Sequence, residues 1–178
     1  NTDEENMLNV VLLSEFRRRY AQELYSTYVK PVIMFKSQRI DASNEANQTF
    51  NELIDSLTPQ SIQDFLLRQK QAGNERESET LSMAHEYYRK NDSELDQIIR
   101  EIKREFAPSR IINANDSDRG SGMLEKGQYE ALNSLESPAN LYRVIFAVAK
   151  LTEGWDVLNL YDIVRISNYK DTKGDKKT

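Results

Sequence analysis

Residues 141–166 read Leu141-Tyr-Arg-Val-Ile-Phe-Ala-Val-Ala-Lys-Leu-Thr-Glu-Gly-Trp-Asp-Val-Leu-Asn-Leu-Tyr-Asp-Ile-Val-Arg-Ile166. The stretch contains two mainly apolar runs, separated by a polar segment at residues 150–156 that holds a single glycine. Short runs that are apolar at nearly every position are typical of strands covered on both faces of a parallel sheet. We therefore predict a strand, a loop and a second strand. The loop follows the carboxyl end of the first strand, where open α/β sheets bind their ligands.

The rest of the chain alternates strand and helix signals. The apolar run at residues 32–35 predicts another buried strand, and residues 110–114 predict a short one. Apolar residues at helical spacing predict helices at residues 3–29, 43–57, 79–90, 93–106 and 124–135, and Thr58-Pro59 marks the start of one more. Strands that alternate with helices predict an α/β fold, with a mainly parallel sheet and helices on its faces.

The domain boundaries follow from the same pattern. Residues 1–29 are predicted to form one helix that leads into the domain or packs on it, and Pro31 is expected to end it. Its apolar face is expected to hold Leu13, Phe16, Tyr20, Leu24 and Tyr28. Residues 30–166 form the domain, with a helical insertion at about 58–107 that is longer than one crossover connection needs. Residues 167–178 are polar and lysine-rich, which predicts the end of a linker.

Composition limits the classes of function. The chain has 178 residues and a net charge of −5, whereas stand-alone, sequence-blind nucleic-acid binders are usually basic. We therefore expect no strong binding of DNA by the chain alone, although a local basic edge is compatible with this charge. No apolar run is long enough to cross a bilayer, no signal-peptide pattern opens the chain and cysteine is absent. These features predict a cytoplasmic protein without a membrane partner, and the first residue, Asn1, predicts an internal piece of a longer chain.

Familiar catalytic motifs are missing from the sequence. Neither the phosphate-binding loop G-x-x-x-x-G-K-S/T nor the fingerprint G-x-G-x-x-G occurs. His85 is the only histidine, and we predict a surface or boundary residue there rather than a catalytic base. Metal sites built from histidine and cysteine are excluded by number, and no metal site is predicted.

Two polar segments each follow a predicted strand, at residues 36–39 and 150–156. Lysine, serine, threonine and glutamine side chains in such loops are typical contacts to sugar-phosphate oxygens. Gly154 would allow a tight turn or the close approach of a ligand, and Asp156 could accept hydrogen bonds from a ribose. Strand ends are commonly polar without binding anything, so the residues alone leave both interpretations open.

Two motifs carry a resemblance to a known family. Residues 144–165 closely resemble motif V of superfamily 2 helicases, and Glu153-Gly-Trp-Asp-Val157 is similar to the form found in the restriction subunit of type III restriction-modification enzymes. Residues 30–39 resemble motif IV of the same proteins. Both motifs belong to the second RecA-like domain of the motor. The resemblance spans roughly residues 30–166 in the expected order.

The resemblance implies half of a motor. In these enzymes ATP and Mg²⁺ are bound between two RecA-like domains, and nucleic acid crosses both. Carried over, Gly154 and Asp156 would face the nucleotide. Many helicases place a threonine six residues before the motif V glycine; Val148 stands there, so Thr152 is the substitute candidate for that contact to the nucleic-acid backbone. The residues implied to lie close to the DNA backbone are Lys36, Ser37, Gln38, Lys150 and Thr152.

The same resemblance implies partners and limits. The partners would be the first RecA-like domain of the same chain, double-stranded DNA and a methyltransferase subunit. An arginine-containing motif VI should follow Ile166 and is not found before Thr178, so no complete catalytic site is expected. We therefore expect the chain alone to bind no cofactor and to be inactive as an ATPase, and we expect the nuclease domain to lie beyond it.

Two alternatives remain open. The first is the second motor domain of another superfamily 2 helicase that acts on DNA or RNA. The second is a non-catalytic α/β interaction module that uses the amphipathic helices at residues 43–57 and 93–106 to bind proteins.

Overall fold

A computed structural model describes residues 1–114, 126–148 and 160–167. Among these residues the helices are α1 Asp3–Tyr25, α2 Ile40–Ser56, α3 Pro59–Ala72, α4 Glu79–Lys90, α5 Leu95–Glu105 and α6 Lys126–Asn133. The strands are β1 Val32–Ser37, β2 Ile111–Ala114, β3 Val144–Val148 and β4 Leu160–Arg165. Short 3-10 turns lie at Asn74–Glu77, Asp92–Glu94 and Pro108–Arg110.

The four strands form one parallel sheet in the order β2-β3-β1-β4. The central strand β1 pairs with β3 on one side and β4 on the other, and Phe35 lies beside Phe146 in the register of β1 and β3. Helices cover both faces of this sheet. The predicted α/β fold with a parallel sheet flanked by helices is therefore confirmed.

The strands are apolar at almost every position because each face of the sheet meets a separate core. Side chains on one face, including Ile33, Phe35 and Phe146, pack against a core built mainly from α1 to α5. Those on the other face, including Met34 and Ile145, pack against α6 and the residues that follow it. The rings of Phe35 and Phe146 are stacked with centroids 5.0 Å apart.

The helices between residues 58 and 106 pack in the same core as α1, α2 and the sheet. Their buried side chains include Ile62, Phe65, Leu66, Tyr88, Ile98, Ile102 and Phe106. The apolar stripes of α2 and α5, which the interaction-module alternative needs for a protein partner, are buried as well. Packing within the domain therefore accounts for these stripes.

The first helix differs from the prediction at its end and on its apolar face. It stops at Tyr25, not near Val29, because Ser26 adopts a left-handed conformation and its N–H donates to the carbonyl of Gln22. Its buried face centres on residues 7–12 and Phe16, whereas Leu24 and Tyr28 are exposed. The apolar residues at helical spacing thus continue in the sequence beyond the part of α1 that packs on the core.

The prediction that His85 is a surface or boundary residue is wrong, because the ring is fully buried between α1, α3 and the turn after α3. Its Nε2 atom lies 2.8 Å from Oδ1 of Asn9, and its Nδ1 atom lies 3.1 Å from Oε2 of Glu75. The Asn9 amide in turn donates to Gln69 at 3.1 Å. Both ring nitrogens therefore have polar partners, which makes complete burial of the imidazole tolerable.

Burial lowers the pKa of His85, against the opposing effect of Glu75, so the folded protein binds this proton more weakly than the unfolded chain does. The contribution to stability is complete above the unfolded pKa of about 6.5 and is lost as the pH falls below it. His85 is the only histidine, so its ring protons can be followed by NMR without assignment. We expect a pKa below 6.5, and a value at or above the unfolded one would contradict the prediction.

Candidate functional site

The carboxyl ends of β1 and β3 lie side by side. Ser37, the last residue of β1, is in register with Val148, the last residue of β3. On the other side of β1, the N–H of Ile166 donates to the carbonyl of Lys36 at 2.8 Å, so the chain leaves β4 at the same edge. The carboxyl ends of β1, β3 and β4 therefore lie at one edge of the sheet, the edge at which open α/β sheets bind ligands.

Three of the predicted site residues can be described, and they differ in environment. Lys36 is half-buried and Gln38 is exposed. Ser37 is only 2% exposed, and its Oγ atom has no hydrogen-bond partner. Among the described residues, Oδ1 of Asn51 is the only other buried side-chain atom without a hydrogen-bond partner. A buried hydroxyl without a partner lowers the free energy of unfolding by about 1–3 kcal/mol. Such a position therefore calls for an explanation other than stability.

The remaining predicted site residues are outside the described part of the chain. They are Lys150, Thr152, Gly154 and Asp156. The strands that flank them are described: β3 ends at Val148, β4 begins at Leu160, and these strands lie on either side of β1.

A cleft of about 940 Å³ opens beside this edge. Its walls are the first turn of α1, the N-terminal half of α2 and the residues Arg165–Ser167 after β4. Arg39 and Arg165 contribute positive charge to it, while the acidic lining residues are Asp3, Glu4, Asp41 and Glu45. The cleft is therefore mixed in charge, and the surface beside it is not a uniformly basic one.

Helix α2 starts directly after the polar turn that follows β1. Its N-cap residue, Arg39, makes no side-chain cap hydrogen bond, and its guanidinium lies 3.3 Å from the carboxylate of Asp41. The N–H of Ser43 bonds to the carbonyl of Arg39, which is the first bond of the helix ladder. Of the N–H groups before it, that of Ala42 donates to the Asp41 carboxylate at 2.9 Å. N–H groups at the start of a helix, together with the helix dipole, favour anions.

Sequence reasoning missed the contacts that connect α1 to this edge. Asp3 accepts two hydrogen bonds from Ser167, from its N–H at 3.2 Å and from its hydroxyl at 2.8 Å. Arg17 forms an ion pair with Asp162 of β4. Burial raises the pKa of Asp162, and Arg17 opposes that shift. A carboxylate inside an otherwise apolar strand was the available signal for this pair.

Two further findings concern residues 1–114, 126–148 and 160–167. No group of three or more histidine or acidic side chains in these ranges has the arrangement of a metal site. No helix in the same ranges combines the length and the apolar character needed to cross a membrane.

Comparison with known proteins gives one informative relative. The chain is 30% identical to the "Probable type III restriction-modification enzyme HindVIP Res subunit" of Haemophilus influenzae. The alignment has 181 residues and covers 97% of the chain. The chain spans 35% of the length of that relative. No family model matches the chain, and no solved structure does. The similarity confirms the resemblance of the chain to the restriction subunits of type III enzymes.

Proposed function

We propose that this chain is the second RecA-like domain of an ATP-dependent DNA motor, within a restriction subunit of the type III class. The similarity to the HindVIP Res subunit supports the proposal, as does the parallel sheet with helices on both faces. The observation that carries it is the shared edge, because the segments that resemble motifs IV and V contain β1 and β3, and these strands end side by side at Ser37 and Val148. The longer protein would supply the other RecA-like domain and the nuclease.

The first role proposed for this edge is contact with the DNA backbone. Lys36 and Gln38 stand next to the N-terminus of α2, where N–H groups without helical partners favour a phosphate. Ser37, between them in the sequence, has a buried hydroxyl with unused hydrogen-bonding capacity. Lys150 and Thr152 follow the neighbouring strand and are proposed to contact the same backbone. Such contacts carry no sequence information, so affinity should fall steeply with salt.

The second role is one side of a nucleotide site. We propose that ATP and Mg²⁺ are bound between this domain and the first RecA-like domain of the same polypeptide. Gly154 would let the backbone approach the nucleotide closely, and Asp156 would accept hydrogen bonds from the ribose. Arginines that stabilise the transferring phosphoryl group account for orders of magnitude in rate, and motif VI would have to provide them. The chain by itself is therefore proposed to lack ATPase activity.

The wider setting follows from the same proposal. A restriction subunit of this class would act in the cytoplasm on double-stranded DNA, together with a methyltransferase subunit. The net charge of −5 fits a domain that contributes a few phosphate contacts to a larger interface and does not hold DNA tightly alone.

The edge can be tested with the chain itself. We expect a short duplex DNA, added to the ¹⁵N-labelled protein at low salt, to shift amide signals at residues 36–42. The signals of residues at the opposite end of the sheet, such as Val32, Ile111 and Val144, should stay in place. Shifts confined to the opposite end would overturn the assignment of the edge.

A further inference from the structure

Helix α1 contacts the edge strand β4 near both ends of the strand. At the carboxyl end, the Asp3 carboxylate accepts hydrogen bonds from the backbone and the hydroxyl of Ser167. Nearer the start of the strand, Arg17 pairs with Asp162. We call the pairs Asp3–Ser167 and Arg17–Asp162 the α1–β4 clamps.

Among the described residues, β4 is otherwise held by its pairing with β1 and by the burial of Ile166 in the core that includes α1. It pairs with β1 on one side only, and this pairing shifts register between Val32 and Ile33. On the face away from α1, Ile163 is 56% exposed, whereas Val164 packs against the core that includes α1. A strand that is paired on one side and covered on one face is expected to open more easily than β1 or β3.

We propose that the α1–β4 clamps are a conformational control: they keep β4 in the sheet, and their release lets β4 detach locally while the rest of the fold stays intact. The consequence for activity rests on the proposed function, because residues 149–159 connect β3 to β4 and contain Gly154 and Asp156. By holding β4 against α1, the clamps would fix the position of Leu160, the residue that follows this connection.

The two partners of the Arg17–Asp162 clamp are not equivalent. The side chain of Asp162 is 17% exposed and that of Arg17 is 26% exposed. Arg17→Gln would leave a largely buried carboxylate without its cation, which is the costlier loss. Asp162→Asn would leave an arginine on a long, flexible side chain that can turn to water. Arg17→Gln should therefore release β4 more than Asp162→Asn does.

Hydrogen exchange of the 178-residue chain, without nucleotide or DNA, tests the proposal. In Arg17→Gln, we expect the amides of residues 160–166 to exchange about tenfold faster or more, while those of β3 keep their protection. Asp162→Asn and Asp3→Asn should show smaller increases at the same residues, and Arg17→Lys should restore most of the protection. Arg104→Gln, at an exposed arginine of α5, is the matched control.

The proposal is overturned if residues 160–166 exchange no faster in Arg17→Gln than in the control, or if all strands lose protection equally. Should Arg17→Gln not fold, Asp162→Asn and Asp3→Asn carry the same comparison. Because no nucleotide or DNA is present, this result is independent of the DNA titration, and either one can fail without the other.

Discussion

Arg143→Met is expected to lower the free energy of unfolding by about 3–5 kcal/mol, because it removes a buried cation and its hydrogen bonds to three buried acceptors. Arg143 is fully buried at the start of β3. Its guanidinium donates to the Pro31 carbonyl at 2.9 Å, to Glu105 at 2.7 Å and to the Ser14 hydroxyl at 2.8 Å. One side chain thus connects α1, the segment before β1 and the end of α5.

Geometry makes this arginine hard to replace. The guanidinium also lies 4.6 Å from the ring centroid of Phe106, where its flat face contacts the aromatic surface. Lysine carries the same charge but lacks the planar fork that reaches three acceptors at once, so Arg143→Lys should also destabilise the protein. Glu105 keeps its ion pair with Arg110 in either variant.

Urea denaturation measures this effect through the midpoint at constant slope. Arg104→Met is the matched control, since Arg104 is exposed, and its stability should stay within about 0.5 kcal/mol of the original protein. A loss of less than about 1 kcal/mol in Arg143→Met would contradict the role assigned to the buried pair. A loss of this size matters because whole domains are stable by only about 5–15 kcal/mol.

Phe146→Ala is expected to cost about 3–5 kcal/mol, for a different reason. Phe146 is fully buried in the middle of β3, stacked on Phe35, and the ring of Phe50 in α2 lies edge-on with its centroid 5.8 Å away. Truncation removes a ring that packs against β1 and α2, and the cavity left behind adds to the lost transfer free energy. Because β3 leads to the candidate edge, the same packing fixes where the edge residues stand.

Thermal or urea unfolding of Phe146→Ala, Phe146→Leu and Leu67→Ala separates the loss of core packing from the effect of any apolar truncation. Phe146→Leu keeps most of the volume and should cost about 1.5 kcal/mol or less, which also provides a value if Phe146→Ala does not fold. Leu67→Ala, at an exposed leucine of α3, should change stability by no more than about 0.5 kcal/mol. Equal losses in Phe146→Ala and Leu67→Ala would show that the aromatic cluster does not dominate this core.

The parallel sheet could be predicted from the sequence because its strands are short runs with apolar side chains on both faces. Residues 32–35 and 144–148 carry that signal without any knowledge of their partners. The strand order could not be predicted, because pairing between β1 and β3 joins segments more than a hundred residues apart. The end of α1 was also hidden, since Ser26 is not the glycine that usually signals a left-handed helix cap.

Buried polar residues were the main failure of sequence reasoning. His85, Asn9 and Gln69 lie in three different helices, and Asn9 hydrogen-bonds both of the others, so their burial depends on contacts between helices. Arg143 is fully buried for the same reason, although arginine at a strand start usually suggests solvent. For the site, the sequence located the edge but not the burial of Ser37, because the cover over β1 comes from helices elsewhere in the chain.

We propose that the edge after β1 and β3 is half of a DNA and nucleotide site. Its most direct test is the affinity of Lys36→Gln for duplex DNA at several salt concentrations, beside Lys70→Gln as the matched control on α3. We expect weak binding by the original chain and Lys70→Gln, and weaker binding by Lys36→Gln with a salt slope reduced by about one. Unchanged affinity and salt slope in Lys36→Gln, or an equal loss in Lys70→Gln, would contradict it.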